Sequence, residues 1–171
     1  MSAQSTAAPA DQEVDGRHDF DFLPGNWRIA NRKLEDLLDK DSTWHEFEST
    51  LEAQEILGGL GFCEKYFASD FPGRGVYHGF GLRLFDPGAK VWRIWWASTY
   101  GEGQIDTPTM GRFSDGVGRF ETDDVIGGRE LKVRYDWTDI TPSSARWEQS
   151  FSFDGGRTFE PNWIMEMTRV D

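Results

Sequence analysis

The chain has 171 residues, 30 acidic against 18 basic, and a formal charge of −12, with 37% hydrophobic residues including thirteen Phe, eight Trp and four Tyr. This length suits one domain with a sizeable core. The negative charge argues against a general nucleic-acid or anionic-membrane partner, because long-range attraction is absent, and does not exclude a small anion in a locally basic pocket.

Residues 1–17 read as a polar, Ala/Pro-bearing, disordered tail with no basic-then-apolar leader and no membrane span. Residues 18–171 form the folded domain. Cys63 is the single cysteine, so neither an internal disulfide nor a cysteine metal cluster is expected, which suits a reducing cytoplasm.

"NWRIANRKLED", after Pro24-Gly25, reads as the first strand. "TWHEFESTLEAQEI" alternates Phe47, Leu51 and Ala53 as a strand, with an amphipathic helix over 43–57 as the alternative; Trp, Thr and Phe at its start favour the strand. "GGLG" supplies a turn or bulge before "FCEKYFAS". "VYHGFGLRLFDPGAKVWRIWWAST" then predicts two strands around Asp86-Pro87-Gly88-Ala89. Phe80, Leu82 and Leu84 are expected to face inward with Trp92, Ile94 and Trp96, leaving Gly79, Gly81, Arg83, Arg93 and Trp95 opposite. A one-residue slip reverses that assignment. Trp95, pointing away from its neighbours, keeps a homodimer interface open.

"YGEGQIDTPTMG" carries three glycines and a proline and suits a long loop at a cavity mouth. The remaining segments are short strands, and in "RELKVRYDWTDI" Leu131, Val133, Tyr135 and Trp137 alternate with Lys132, Arg134 and Asp136. Together these elements predict an all-β protein, a single antiparallel barrel of eight to ten strands, since closure removes exposed edges.

Two resemblances sharpen this. "SFDGGRTF", Ser152 to Phe159, resembles the Asp-box hairpin of sialidase-like propellers, in which Asp154 accepts backbone N–H bonds across a turn whose glycines permit positive φ; the reading is structural. "DFLPGNWRIANRKLED", "LRLFDPGAKVWRIWWAS", "GRFSDGVGRF" and "RWEQSFSFDGGRTFEPNWIMEMTR" resemble a family of uncharacterised bacterial proteins with calycin-like, lipocalin-like barrels. The resemblance spans most of residues 19–169 and implies a central cavity, with no activity to carry over. Gly25-Asn26-Trp27 also resembles the Gly-x-Trp start of lipocalins, which implies that Trp27 closes the barrel base beneath Arg169, a structural pair worth about 0.5–2 kcal/mol.

The chemistry is less marked. Dinucleotide, phosphate-loop and serine-hydrolase motifs are missing, and no cofactor is called for. His18, His45 and His78 are the only histidines, and a metal site built on His45 and His78 has no supporting spacing. His78 is the best single candidate, expected inside with Phe80, Trp92 and Trp96 as a ligand contact or an acid/base; a satisfied rim or core histidine is the alternative. His45 is expected inside with Phe47. Tyr135, Gln149 and Asn31 are the further polar candidates for orienting a largely apolar ligand. Glu148, Glu160 and Glu166 fall on a solvated outer row with Arg146 and Arg134. The expected function is binding of a small apolar or aromatic molecule in the barrel; an enzyme using the same cavity and a self-association module are the alternatives.

Overall fold

A computed structural model describes residues 15–170, so the tail expected over 1–17 lies almost wholly outside the described residues. The first strands are β1 (Gly25–Leu34), β2 (Trp44–Ile56), β3 (Gly61–Phe71), β4 (Gly75–Asp86) and β5 (Val91–Ser98). They are followed by β6 (Thr109–Ser114), β7 (Val117–Ile126), β8 (Arg129–Thr138), β9 (Ser144–Ser152) and β10 (Glu160–Val170). Each strand pairs antiparallel with its successor, and β1 pairs with β10, which closes the sheet into a ten-strand barrel. Closure gives every edge a partner. No helix among the described residues is long and apolar enough to cross a membrane.

Alternation decides most of the interior. β1 sends Trp27, Ile29, Asn31 and Lys33 inward and Arg28 and Arg32 outward. Segment 44–56 is a strand, its inward Ser49, Leu51 and Ala53 separated by exposed Glu48, Thr50 and Glu52. Its pairing with β1 and β3 satisfies the backbone across the sheet. β8 buries Leu131, Val133 and Trp137.

On β4 the expected face is reversed. Tyr77, Gly79, Gly81, Arg83 and Phe85 point inward, and Phe80, exposed, points out with the half-buried Leu82 and Leu84. Gly81, Arg83 and Phe85 stand opposite Trp96, Ile94 and Trp92, so the β5 indoles are inside as expected but against glycine and arginine rather than Phe and Leu. The reason is volume. A Cβ at Gly79 would collide with the Trp96 ring, and one at Gly81 with the Glu64 carboxylate. Two bulky side chains from neighbouring strands already fill that space.

One end of the barrel is plugged by residues 16–24, a run of tight turns held by bonds from Asp19 N to Gly16 O, Asp21 N to His18 O and Leu23 N to Phe20 O. Phe20 enters the barrel axis and meets Trp92 and Phe113 edge-on, each at 5.1 Å, with Phe120 at 5.6 Å and Trp137 at 5.9 Å. Trp92 donates from Nε1 to Gly16 O, and Trp27 donates from Nε1 to Leu23 O. The Arg169 guanidinium lies 4.3 Å over the Trp27 ring and donates to the carbonyls of Pro142, Pro24 and Phe22. One side chain thus ties the last strand to the plug. Arg169→Ala is expected to destabilise the fold by about 2–3 kcal/mol, since charge-assisted bonds and the indole contact are lost together; urea unfolding followed by tryptophan fluorescence measures it.

At the opposite end, the β9–β10 turn has Asp154 at its centre. Its Oδ1 accepts from Arg157 N, Thr158 N and Ser152 Oγ, and its Oδ2 accepts from Thr158 Oγ1. These bonds, those from Thr158 foremost, hold the carboxyl far below its ordinary value of 3.8. A carboxylate depressed in the folded state stabilises fully above about pH 4, and the contribution is lost as pH falls through the unfolded value toward the folded one. Asp154→Ala is therefore expected to lower the urea midpoint at pH 7, and the gap to the parent protein is expected to narrow from about pH 4 downward.

Candidate functional site

Above the plug, a cavity of about 230 Å³ opens toward the end that carries the 99–108 connection. At roughly 30 Å³ per water it has room for seven or eight waters, or one small organic molecule. Its walls are aromatic. Trp96 from β5, Trp147 from β9, Trp163 from β10 and Tyr66, Tyr77 and Tyr135 from β3, β4 and β8 surround it. Tyr135 lies 5.0 Å from Trp147, and Trp147 meets Trp163 edge-on at 5.7 Å.

The walls are held from behind. Asn31 is 2% exposed, and its Oδ1 accepts from Tyr66 Oη and Trp163 Nε1 while its Nδ2 donates to Ser49 Oγ. Trp96 Nε1 donates to Tyr77 Oη, and Gln149 Nε2 donates to Asn162 Oδ1. Asn162 and Trp163 are both buried because the β10 register shifts between Pro161 and Trp163. Burial pushes the Tyr66, Tyr77 and Tyr135 phenols above their ordinary range, so all three remain neutral hydroxyls.

The floor is polar. Arg83 Nη1 approaches Glu64 Oε2 to 2.6 Å, with both side chains about 95% buried, and its guanidinium lies 5.1 Å from the Phe20 ring and 5.4 Å from that of Trp137. The ion pair is close but poorly aligned for a hydrogen bond. Arg83 Nε and Nη1, Glu64 Oε2, Thr109 Oγ1 and Trp137 Nε1 are buried without a hydrogen-bond partner among the described residues. All four residues line the cavity. At the mouth stand Asp106 and Asp124; burial first and Asp124 second push the Asp106 carboxyl upward.

Of the sequence candidates, Trp96, Tyr135 and Gln149 line the cavity together. Asn31 stands one layer behind it. Trp92 is wholly buried in the plugged end, against Phe20, Phe62 and Phe85. His45 has the expected parity but sits at the rim, its Nε2 3.8 Å from Glu35. His78 is on the outside, a correction that follows from the β4 reversal: its ring lies tilted 5.1 Å from that of the exposed Phe67, and its backbone binds Thr99. Arg146 pairs on the outer face with Glu148 and Glu166. No cluster of three His, Cys, Asp or Glu suited to a metal occurs among the described residues.

Glu64 and Arg83 escaped the sequence reading because charged residues are seldom fully buried. The available signal was Gly79 and Gly81 at the same strand parity as Arg83, since paired glycines mark a face that something approaches closely.

Fold and site define a closed antiparallel β-barrel, plugged at one end, with an aromatic-walled cavity at the other. Its fold is similar to that of the S-type phycobiliprotein lyase CPES from Guillardia theta, with a TM-score of 0.63 and 12% identity over 95% of this chain and 99% of that one. A redesigned beta barrel aligns with a TM-score of 0.43 and 14% identity, over 88% and 94% of the two chains. No family model and no curated protein matches the sequence.

Breaking a buried ion pair costs more than removing it. Arg83→Met is expected to destabilise by about 3–5 kcal/mol and Arg83→Met/Glu64→Leu by clearly less; chemical unfolding of the two variants beside the parent protein checks the order.

Proposed function

We propose that this protein is a calycin-like binding protein that holds one small, largely apolar or aromatic molecule inside the barrel. The observation that carries the reading is the aromatic-walled cavity, closed below by the Phe20 plug and open above. Trp96, Tyr135, Trp147 and Trp163 form the ligand's contact surface, and Gln149 offers a polar edge. Asn31 serves indirectly by fixing the Tyr66 and Trp163 rings. With His78 outside, no histidine reaches the cavity, and the reading involves no histidine acid/base step.

Magnitudes limit what the walls alone achieve. Burying about 200 Å² of apolar ligand surface contributes roughly 5 kcal/mol, a dissociation constant near 0.2 mM before the costs of association. Tighter binding requires polar contacts, and the floor is where they are available.

The test uses 1-aminoanthracene, a neutral fluorescent aromatic. A single saturable site is expected, lost in Val133→Trp, whose indole fills the cavity, and retained within twofold in His78→Ala. Unchanged binding to Val133→Trp would place the probe outside the barrel and remove the reading.

A further inference from the structure

We infer that the cavity floor recognises a neutral, amide-like head, an acceptor oxygen beside an N–H group, on the molecule the barrel binds. The inference rests on the cavity-binding reading and names its ligand class.

Register places the floor groups together. Thr109 on β6 stands opposite Ile94 on β5, and Ile94 stands opposite Arg83 on β4, so the three form one row across the sheet. Glu64 on β3 stands opposite Gly81, two positions along from Arg83, and its carboxylate reaches the guanidinium through the space that glycine leaves. Trp137, from β8, faces Arg83 across the barrel axis. The residues are 1–4% exposed, far below what a solvated surface would give.

Their inventory is lopsided. Arg83 Nε and Trp137 Nε1 are donors without any partner, Thr109 Oγ1 is donor and acceptor, and Arg83 Nη1 and Glu64 Oε2 have only their ion pair with each other, which leaves Glu64 able to accept a further bond. Such a set is complemented by an oxygen that accepts two or three N–H bonds, next to a group that donates one to Glu64. Buried polar groups left without partners are costly, so a head that satisfies them discriminates strongly against an analogue lacking it.

Charge decides between heads. The guanidinium is already balanced by Glu64 at 2.6 Å, so a ligand carboxylate would add an unbalanced negative charge beside Glu64 after passing Asp106 and Asp124 at the mouth. A cationic head, although drawn by Asp106 and Asp124 at the mouth, would stand at the floor beside the Arg83 guanidinium and the Trp137 Nε1 donor, with Glu64 as the floor's one carboxylate already engaged by Arg83. The uncharged amide edge supplies both halves of the pattern without either penalty.

Three probes of one shape test this by calorimetry: 2-naphthamide, 2-naphthoate and naphthalene. The amide is expected to bind at least tenfold tighter than either of the others. Trp137→Phe, which keeps a ring and removes one N–H, is expected to weaken 2-naphthamide about fivefold and to leave naphthalene within twofold. Arg83→Met/Glu64→Leu, with its fold verified by circular dichroism, is expected to abolish the preference while retaining naphthalene. Equal binding of amide and hydrocarbon, or tightest binding of naphthoate, overturns the amide head and leaves the cavity reading standing. Failure of all three probes to bind removes both.

Discussion

Gly79 and Gly81 leave the inner surface of β4 bare at two successive inward positions, and the Trp96 ring and the Glu64 carboxylate occupy that space. The interior depends on this exchange. With side chains there, Trp96 could not lie against the sheet as a cavity wall, and Glu64 could not reach Arg83. Without Glu64, Arg83 would be an isolated cation in an aromatic enclosure, which proteins do not tolerate without partners. The missing methyl groups of β4 therefore permit both the apolar wall and the polar floor.

A second layer gives the cavity its shape. The rings that face the interior are anchored by polar atoms behind or beside them: Asn31 holds Tyr66 and Trp163, and Tyr77 holds Trp96. Each anchor is itself buried or half-buried, so water competes little with these bonds. Rings fixed in this way need not be ordered when a ligand arrives, and preorganisation of this kind lowers the cost of binding. Below them, the Phe20 plug supplies the base and faces the same Arg83 and Trp137 that form the floor.

The architecture was legible because half-buried strands alternate and barrels leave no edge unpaired. β1 is a strand close to where it was expected, 44–56 is a strand with Leu51 and Ala53 inward, β8 buries Leu131, Val133 and Trp137 as its alternation indicates, and the Asp154 turn was readable from "SFDGGRTF". β4 failed for a physical reason. Its outward Phe80, Leu82 and Leu84 are the more hydrophobic set, and its inward set holds two glycines and an arginine. Hydrophobicity ranks faces by transfer free energy, whereas here the available volume and a charge partner 19 positions earlier decided the outcome. The misplacement of His78 follows directly from that reversal. Trp92 failed differently: alternation establishes that it points inward, but not whether it meets a cavity or the plug.

The meander itself has a kinetic consequence. Every strand pair but one joins chain neighbours, most through connections of a few residues and the longest, β5 to β6, through ten, and these hairpins can form locally and in any order. The seam between β1 and β10 is different, since Trp27 and Arg169 must meet from opposite ends of the folded segment. Closing a loop of roughly 140 residues costs about 3 kcal/mol more in chain entropy than closing one of four. As hairpins accumulate, the curving sheet shortens that distance, so loop entropy alone makes the seam the pairing expected to form last. Until it does, β1 and β10 both present open edges, and the chain is then at its most vulnerable to pairing with another copy.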